Sequence, residues 1–231
     1  MKTLRKMGGA AGLVASATFV VGLAMFVTMF TDYTTAEEPL RAVEFLIENQ
    51  APLYVWNIII HIVFGIVLVP LVLAVRDQFS DASSALPRVA SVFGLIWSGA
   101  IIATGMIANI SYGVVADIYE SSPQTATTVW STLNAVQNGL GGGNEVLGGV
   151  WVLLVSIAAL SAQVFPRWIN YLGVVMGVAG LATVVPSLQE VGAVFGLGLI
   201  VWFVAVGFSL LRTSAPSPLL VDKAEPHLSV R

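Results

Sequence analysis

The chain has no cysteine, and this absence excludes several classes of function. Disulfide bonds, thiolate metal sites, iron–sulfur clusters and a cysteine nucleophile all require that residue. Lysine occurs only as Lys2, Lys6 and Lys223, so no apolar segment offers an amine for a retinal Schiff base. The only histidines are His61 and His227, and His227 lies in the polar tail, which excludes a haem held by two histidines between apolar helices.

Common catalytic and binding motifs are missing as well. The sequence contains no HExxH, Walker, GxSxG or CxxC pattern, so the usual zinc-protease, nucleotide-binding, hydrolase and thiol-redox signatures are absent. It has no arginine row of the voltage-sensor kind, and no segment is basic enough to bind nucleic acid. We therefore predict no metal site, no cofactor and no nucleic-acid partner.

Charged residues are scarce, at 10% of the chain, whereas soluble domains carry roughly 25%. Apolar residues make up 57%, in runs long enough to cross a hydrocarbon core of about 30 Å. This pattern predicts an all-α, polytopic membrane bundle that forms one domain over residues 1–212. The six predicted transmembrane helices span residues 8–30, 53–75, 89–113, 142–161, 168–185 and 191–211. We interpret the first as a retained helix, because its 23 residues exceed the apolar core of a cleaved signal peptide.

Lysine and arginine fall almost entirely on one side of this alternating arrangement. Nine of the ten lie there, and only Arg41 falls on the opposite, acidic side. Because cytoplasmic flanks retain positive charge during insertion, we predict that both termini are cytoplasmic. Residues 213–231 contain three prolines and are predicted to be a disordered cytoplasmic tail.

Two connections on the acidic side carry amphipathic patterns. Residues 35–48 begin with Thr35 and Glu38 at capping-box spacing, and residues 125–140 place apolar residues at helical spacing. We predict that both are amphipathic helices on the outer membrane interface. The predicted apolar stripes are Leu40, Val43 and Ile47 in the first and Val129, Trp130, Leu133, Val136 and Leu140 in the second.

His61 lies in the middle of the second predicted span, where an ionisable side chain costs about 2.5 to 3.5 kcal/mol on insertion scales. Asn57 lies four residues earlier, on the same helix face and one turn nearer the outside. Asn109 and Tyr112 lie one turn apart near the outer end of the third span, at a similar depth. Two interpretations are open: polar residues that join helices by hydrogen bonds, or a ligand or proton site.

Glu145 follows a stretch, residues 139–143, in which four of five residues are glycine. Such a stretch predicts a break in the helix, and irregular backbone at membrane depth is tolerated where it lines a cavity. The alternative is an interfacial loop in which Glu145 is solvated or caps the next helix. The candidate ligand-binding residues are therefore Asn57, His61, Asn109, Tyr112, Asn144 and Glu145, and no catalytic residue is assigned.

A motif-level resemblance adds to this interpretation. The six predicted spans, the glycine run before Glu145 and the stretch FPRWINYLG from Phe165 to Gly173 resemble the bacterial six-span family catalogued as domain of unknown function 4386. The resemblance extends over about residues 5–212. It implies a location in the bacterial inner (plasma) membrane, and it implies no activity.

Three functional hypotheses follow. The first is a non-enzymatic protein that binds or translocates a small molecule, lipid or proton at an outward-facing polar cavity, with the two amphipathic helices as a lid. The second is a membrane-embedded enzyme that acts on a lipid or isoprenoid, with His61 and Glu145 as an acid–base pair. The third is a structural subunit whose polar residues only bridge helices. The sequence predicts neither the oligomeric state nor a protein partner.

Overall fold

A computed structural model describes residues 2–34, 38–79, 85–142 and 145–212. The described residues form helices and contain no strand. Thr35, Asn144 and the predicted tail lie outside the described residues. The α-helices are α1 (Lys2–Met29), α2 (Thr31–Thr34), α3 (Pro39–Glu48), α4 (Gln50–Asn57), α5 (Phe64–Arg76), α6 (Ala85–Tyr119), α7 (Pro123–Gln137), α8 (Val146–Ala162), α9 (Arg167–Ala182) and α10 (Val191–Arg212). Ile58–Val63 and Asn138–Gly142 are π-helical, and Pro186–Leu188 is a 3₁₀ turn.

Within the described residues, five stretches are long and apolar enough to cross a membrane, which confirms an all-α, polytopic membrane bundle. They are Lys2–Met29, Gln50–Arg76, Ala85–Tyr119, Pro123–Ala162 and Val191–Arg212. The predicted count of six spans is not confirmed. The predicted span 168–185 corresponds to α9, whose 16 residues extend only about 24 Å, less than the roughly 30 Å hydrocarbon core.

Glycines bring helix backbones into contact between α1 and α10 and between α8 and α9. A Cβ on Gly12 of α1 would lie 3.0 Å from the Phe203 carbonyl oxygen and 3.1 Å from Gly207 Cα of α10. A Cβ on Gly149 of α8 would lie 2.9 Å from the Gly177 carbonyl oxygen of α9. Since these neighbours are backbone atoms, any side chain at Gly12 or Gly149 would push the helices apart.

Further glycine contacts of α1 bring the basic residues to one end, which we call the basic end. Gly8 near the start of α1 packs on Ala74 near the end of α5, and Gly9 packs on Leu211 at the end of α10. The ends of α5, α8 and α10 and the starts of α6 and α9 also line one groove. This clustering agrees with the charge pattern, and the side of the membrane on which it lies stays a prediction. The described basic residues there are Lys2, Arg5, Lys6, Arg76, Arg88, Arg167 and Arg212.

The opposite end, which we call the outer end, is built differently. Helices α3 and α7 pack on each other and on α6, and Trp130 Nε1 of α7 donates a hydrogen bond to the Tyr33 hydroxyl at 3.2 Å. Burial raises the pKa of Tyr33, and the hydrogen bond from Trp130 acts in the opposite direction. The two amphipathic helices predicted for this end are therefore present as α3 and α7, whereas their place on a membrane surface stays a prediction.

The predicted apolar stripes of these two helices are confirmed in part, since Val43 is buried and Ile47, Val129 and Trp130 pack against the buried cluster around it. In α3 the buried residues are Ala42, Val43 and Leu46, whereas the predicted Leu40 and Ile47 are only partly buried. In α7 the buried residue is Ala126, and the predicted stripe residue Val136 is 47% exposed. The reason is that each helix packs on neighbouring helices rather than on a flat apolar surface, so the contact face is set by those neighbours.

Candidate functional site

Asn57 forms the centre of a buried hydrogen-bond network between α4 and α6. Its side chain is 1% exposed, and its Nδ2 donates to the Gly105 carbonyl oxygen at 2.8 Å and to Asn109 Oδ1 at 2.7 Å. Because a backbone carbonyl only accepts, these bonds fix the orientation of the Asn57 amide. Its Oδ1 is then the atom that faces His61, whose Nδ1 lies 2.5 Å away.

This network determines which nitrogen of His61 is available. Since Asn57 Oδ1 is an acceptor, His61 Nδ1 carries the hydrogen, and Nε2 of the neutral ring is left as an acceptor. His61 lies in the π-helical segment Ile58–Val63, a type of distortion that is frequent at functional sites. Gly105 permits the close approach, because a Cβ there would lie 2.7 Å from His61 Cβ. The predicted helix face with Asn57 and His61 therefore packs on α6.

The glycine-rich stretch before Glu145 breaks the helix, as predicted. Helix α7 gives way to the π-helical segment Asn138–Gly142, and Gly141 has a φ of 127°, which favours glycine. The Glu145 backbone N–H donates to Thr183 Oγ1 at 2.8 Å. Its carboxylate does not cap α8 and accepts no hydrogen bond from the described part of the chain, so the capping alternative does not hold.

His61 and Glu145 line the same cavity, which has a volume of about 400 Å³. The cavity lies between α1, the segment Ile58–Val63, α6, the segment Asn138–Gly142 and α10. Its walls are mostly apolar rather than polar, which corrects the predicted polar cavity. Asn57, Asn109 and Tyr112 are not among the lining residues. The aromatic residues of the wall are Phe19, Phe26, Trp56, Phe64 and Trp97.

One side of this cavity opens between α1 and α10. These helices are in contact near the basic end, and Ser16 Oγ donates to the Ile200 carbonyl oxygen at 3.1 Å. Nearer the outer end they frame the cavity, where Leu23 is 42% and Leu197 is 54% exposed. Gly196 also lines the cavity, and a Cβ on it would meet only the Phe19 ring, at 3.8 Å. The opening is thus framed by apolar side chains on the side of the bundle, between two helices, rather than at either end.

The remaining predicted site residues lie elsewhere. Tyr112 packs edge-on against Tyr54, with 5.4 Å between ring centroids. It belongs to a buried hydrophobic cluster that also contains Val43 and Val115. Asn57 bonds to both His61 and Asn109 outside the cavity. Ligand binding by any of these residues stays a prediction. The aromatic wall and Gly196 were not predicted, since an aromatic or glycine residue in an apolar helix carries no sequence signal that separates a cavity wall from a lipid-facing or core position.

Comparisons with known proteins identify the family of the chain and give no activity. No curated protein matches the chain, and no solved structure does. Within the described residues no cluster of three or more histidine, cysteine, aspartate or glutamate side chains is arranged to hold a metal ion. The model of the family described as "Domain of unknown function (DUF4386)" matches residues 9–213, nearly the whole of the bundle. The chain is therefore a multi-pass integral membrane protein that belongs to the DUF4386 family.

Proposed function

We propose that this membrane protein binds a small amphipathic molecule in the cavity between α1, α6 and α10. The observation that carries the proposal is that His61 and Glu145, which are 84 residues apart in sequence, line one largely apolar cavity. A ligand site needs apolar walls to hold the body of a molecule and a few polar atoms to orient it. This cavity has both, and its volume of about 400 Å³ lies within the usual range for such sites.

The opening between α1 and α10 favours a ligand that reaches the cavity from the membrane. Leu23 and Leu197 frame the opening on faces that no described element covers. In a bilayer such exposed leucines contact acyl chains, so an amphipathic molecule dissolved in the membrane has a direct path to the cavity.

Binding fits the geometry better than conduction. A channel needs a continuous polar path, whereas the region between the cavity and the basic end is filled by packed aromatic rings. Phe64 lies 5.0 Å from Phe19 and 5.9 Å from Phe203, measured between ring centroids. Gly12 and Gly207 close the gap between α1 and α10 beyond them.

The test is to fill the cavity. In Gly196→Leu the new side chain would occupy the cavity, because only Phe19 lies within 4 Å of its Cβ position. We expect this variant, purified in lipid nanodiscs, to lose the molecule that co-purifies with the wild-type protein, by about tenfold or more in occupancy as measured by mass spectrometry of extracts. Gly99→Leu is the matched control, because Gly99 lies outside the cavity and no atom lies within 4 Å of its Cβ position.

Equal occupancy in the two variants, or no co-purifying molecule in the wild-type protein, would reject the proposal. An enzyme that acts on a lipid or isoprenoid is the second candidate, because His61 and Glu145 share the cavity. It is favoured if the extracted molecule is a product that His61→Gln no longer forms. A purely structural subunit needs no cavity, so the cavity counts against that alternative.

A further inference from the structure

We propose that the molecule held in this cavity is an organic cation, namely a protonated amine on an apolar body, whose ammonium group binds between the Glu145 carboxylate and His61 Nε2. This inference rests on the proposed function, because it names the chemical class of ligand for the same cavity. Four observations on the described residues carry it: a carboxylate without a partner among them, a fixed histidine acceptor, side-chain donors on the wall that are engaged or shielded, and a wall of aromatic rings.

The first observation is that Glu145 has no partner within the described part of the chain. Its carboxylate neither caps α8 nor accepts another hydrogen bond there, and no lysine or arginine lines the cavity. The described basic residues, apart from Arg41, are gathered at the opposite end of the bundle. A carboxylate that is removed from water is costly, so it either takes up a proton or pairs with a cation. A cationic ligand would supply that partner.

The second observation is that His61 presents an acceptor. Asn57 Oδ1 takes the hydrogen of His61 Nδ1, so the neutral ring offers only the lone pair of Nε2 to a ligand. An ammonium group carries three donors and no acceptor, which matches a carboxylate and an imidazole nitrogen together. A phosphate or carboxylate head would meet a like charge at Glu145 and a second acceptor at His61.

The third observation concerns the two indole N–H groups on the wall, which are the donors that an anionic head would need. Trp56 Nε1 already donates to the Gly22 carbonyl oxygen at 3.0 Å. Trp97 Nε1 is fully buried and makes no hydrogen bond in the described part of the chain, so it is shielded from a molecule in the cavity. Among the described lining residues, the polar side-chain atoms left for a cationic ligand are therefore acceptors.

The fourth observation is the composition of the remaining wall. Five aromatic side chains, from α1, α4, α5 and α6, line a cavity of about 400 Å³. The face of an aromatic ring is negative, so it attracts a desolvated cation more strongly than a neutral group of the same size. A neutral alcohol would gain the apolar contacts but would not pair with an ionised Glu145, whereas a cation would stabilise the ionised form. The rings and the carboxylate together thus favour a cation over an alcohol.

Three molecules with one apolar cage separate these possibilities: adamantylamine, adamantanol and adamantane carboxylic acid. At neutral pH they carry a positive, a zero and a negative charge on the same body. Their binding to the full-length protein in nanodiscs is measured by calorimetry, with empty nanodiscs subtracted. We expect the amine to bind about tenfold to a hundredfold more tightly than the alcohol, and the acid to bind most weakly.

Glu145→Gln removes the charge and keeps the shape, so we expect it to abolish the preference for the amine while the alcohol still binds. Glu120→Gln removes an exposed carboxylate outside the cavity and should leave all three affinities unchanged. Thermal unfolding of each variant checks that it is folded, and in Gly196→Leu all three probes should bind at least tenfold more weakly.

Equal binding of amine and alcohol, tighter binding of the acid, or an amine preference that survives in Glu145→Gln would overturn the cation assignment. So would a failure of all three probes to bind wild-type protein whose co-purifying molecule is displaced by Gly196→Leu. In each of these cases the cavity could still bind a different amphipathic molecule. Failure of the proposed function is distinct, since it appears as an unchanged co-purifying molecule in Gly196→Leu.

Discussion

The two ends of the interface between α1 and α10 are built from similarly apolar residues and yet pack in opposite ways. At the basic end, the backbones touch, because Gly12 of α1 meets Gly207 of α10. At the outer end, two π-helical segments and a glycine with positive φ widen the helices, and a cavity of about 400 Å³ is left between them. The comparison teaches that small residues in a membrane helix either close or open a bundle, according to what faces them.

The largest expected effect comes from forcing a close backbone contact apart. In Gly149→Ala the new Cβ would lie 2.8 Å from Leu181 N and 2.9 Å from the Gly177 carbonyl oxygen, and backbone atoms cannot rotate away. We expect the free energy of unfolding, measured by denaturant titration in mild detergent, to fall by roughly 2 to 3 kcal/mol. Gly99→Ala is the control, and it should stabilise by about 0.5 to 1 kcal/mol, because its Cβ meets nothing within 4 Å. Equal stability of the two variants would contradict the distinction between a glycine that faces a neighbouring backbone and a glycine that faces open space.

A smaller effect is expected from the glycine break at the outer end. Gly141→Ala has room for a methyl group, since the nearest atom, Ile101 Cδ1, is 3.4 Å away, but a φ of 127° strains any side chain. We expect a loss of about 1 to 2 kcal/mol in the same unfolding measurement. Gly139→Ala, in the same π-helical segment with open space and no positive φ, should change stability by less than about 0.5 kcal/mol. If both substitutions cost the same, backbone conformation at Gly141 is not the cause.

The smallest effect is expected within the polar network behind His61. A double-mutant cycle of Asn57→Leu and Asn109→Leu should give a coupling energy of about 0.6 kcal/mol and at most roughly 1.7 kcal/mol, the range for hydrogen bonds between membrane helices. The control cycle pairs Asn57→Leu with Asn134→Leu on α7 and should be additive. A coupling near zero in the first cycle would show that the 2.7 Å contact between Asn57 and Asn109 contributes nothing to stability.

The sequence was informative wherever a local rule applied. Hydrophobic runs longer than a bilayer is thick predicted the membrane helices, and the glycines of residues 139–143 predicted the break that Gly141 makes. The four-residue spacing of Asn57 and His61 predicted a shared face, which the hydrogen bond between them confirms. It was incomplete where neighbouring helices decide: Val43 of the predicted α3 stripe is buried, but Ala42 and Leu46 are buried with it, because α6 and α7 pack on α3.

The sequence by itself determined that this protein lies in a lipid bilayer and where most of its helices occur along the chain. It also determined which two ionisable residues need an explanation inside a membrane. These properties depend on composition and on short-range periodicity, which a chain carries without folding. Only the tertiary structure decided that His61 and Glu145 share one cavity and that α1 and α10 leave it open. It also decided that Asn57 and Asn109 lie outside the cavity, hydrogen-bonded to each other. The order of helices around a bundle is set by which faces fit together, and no single helix encodes the shape of its partner.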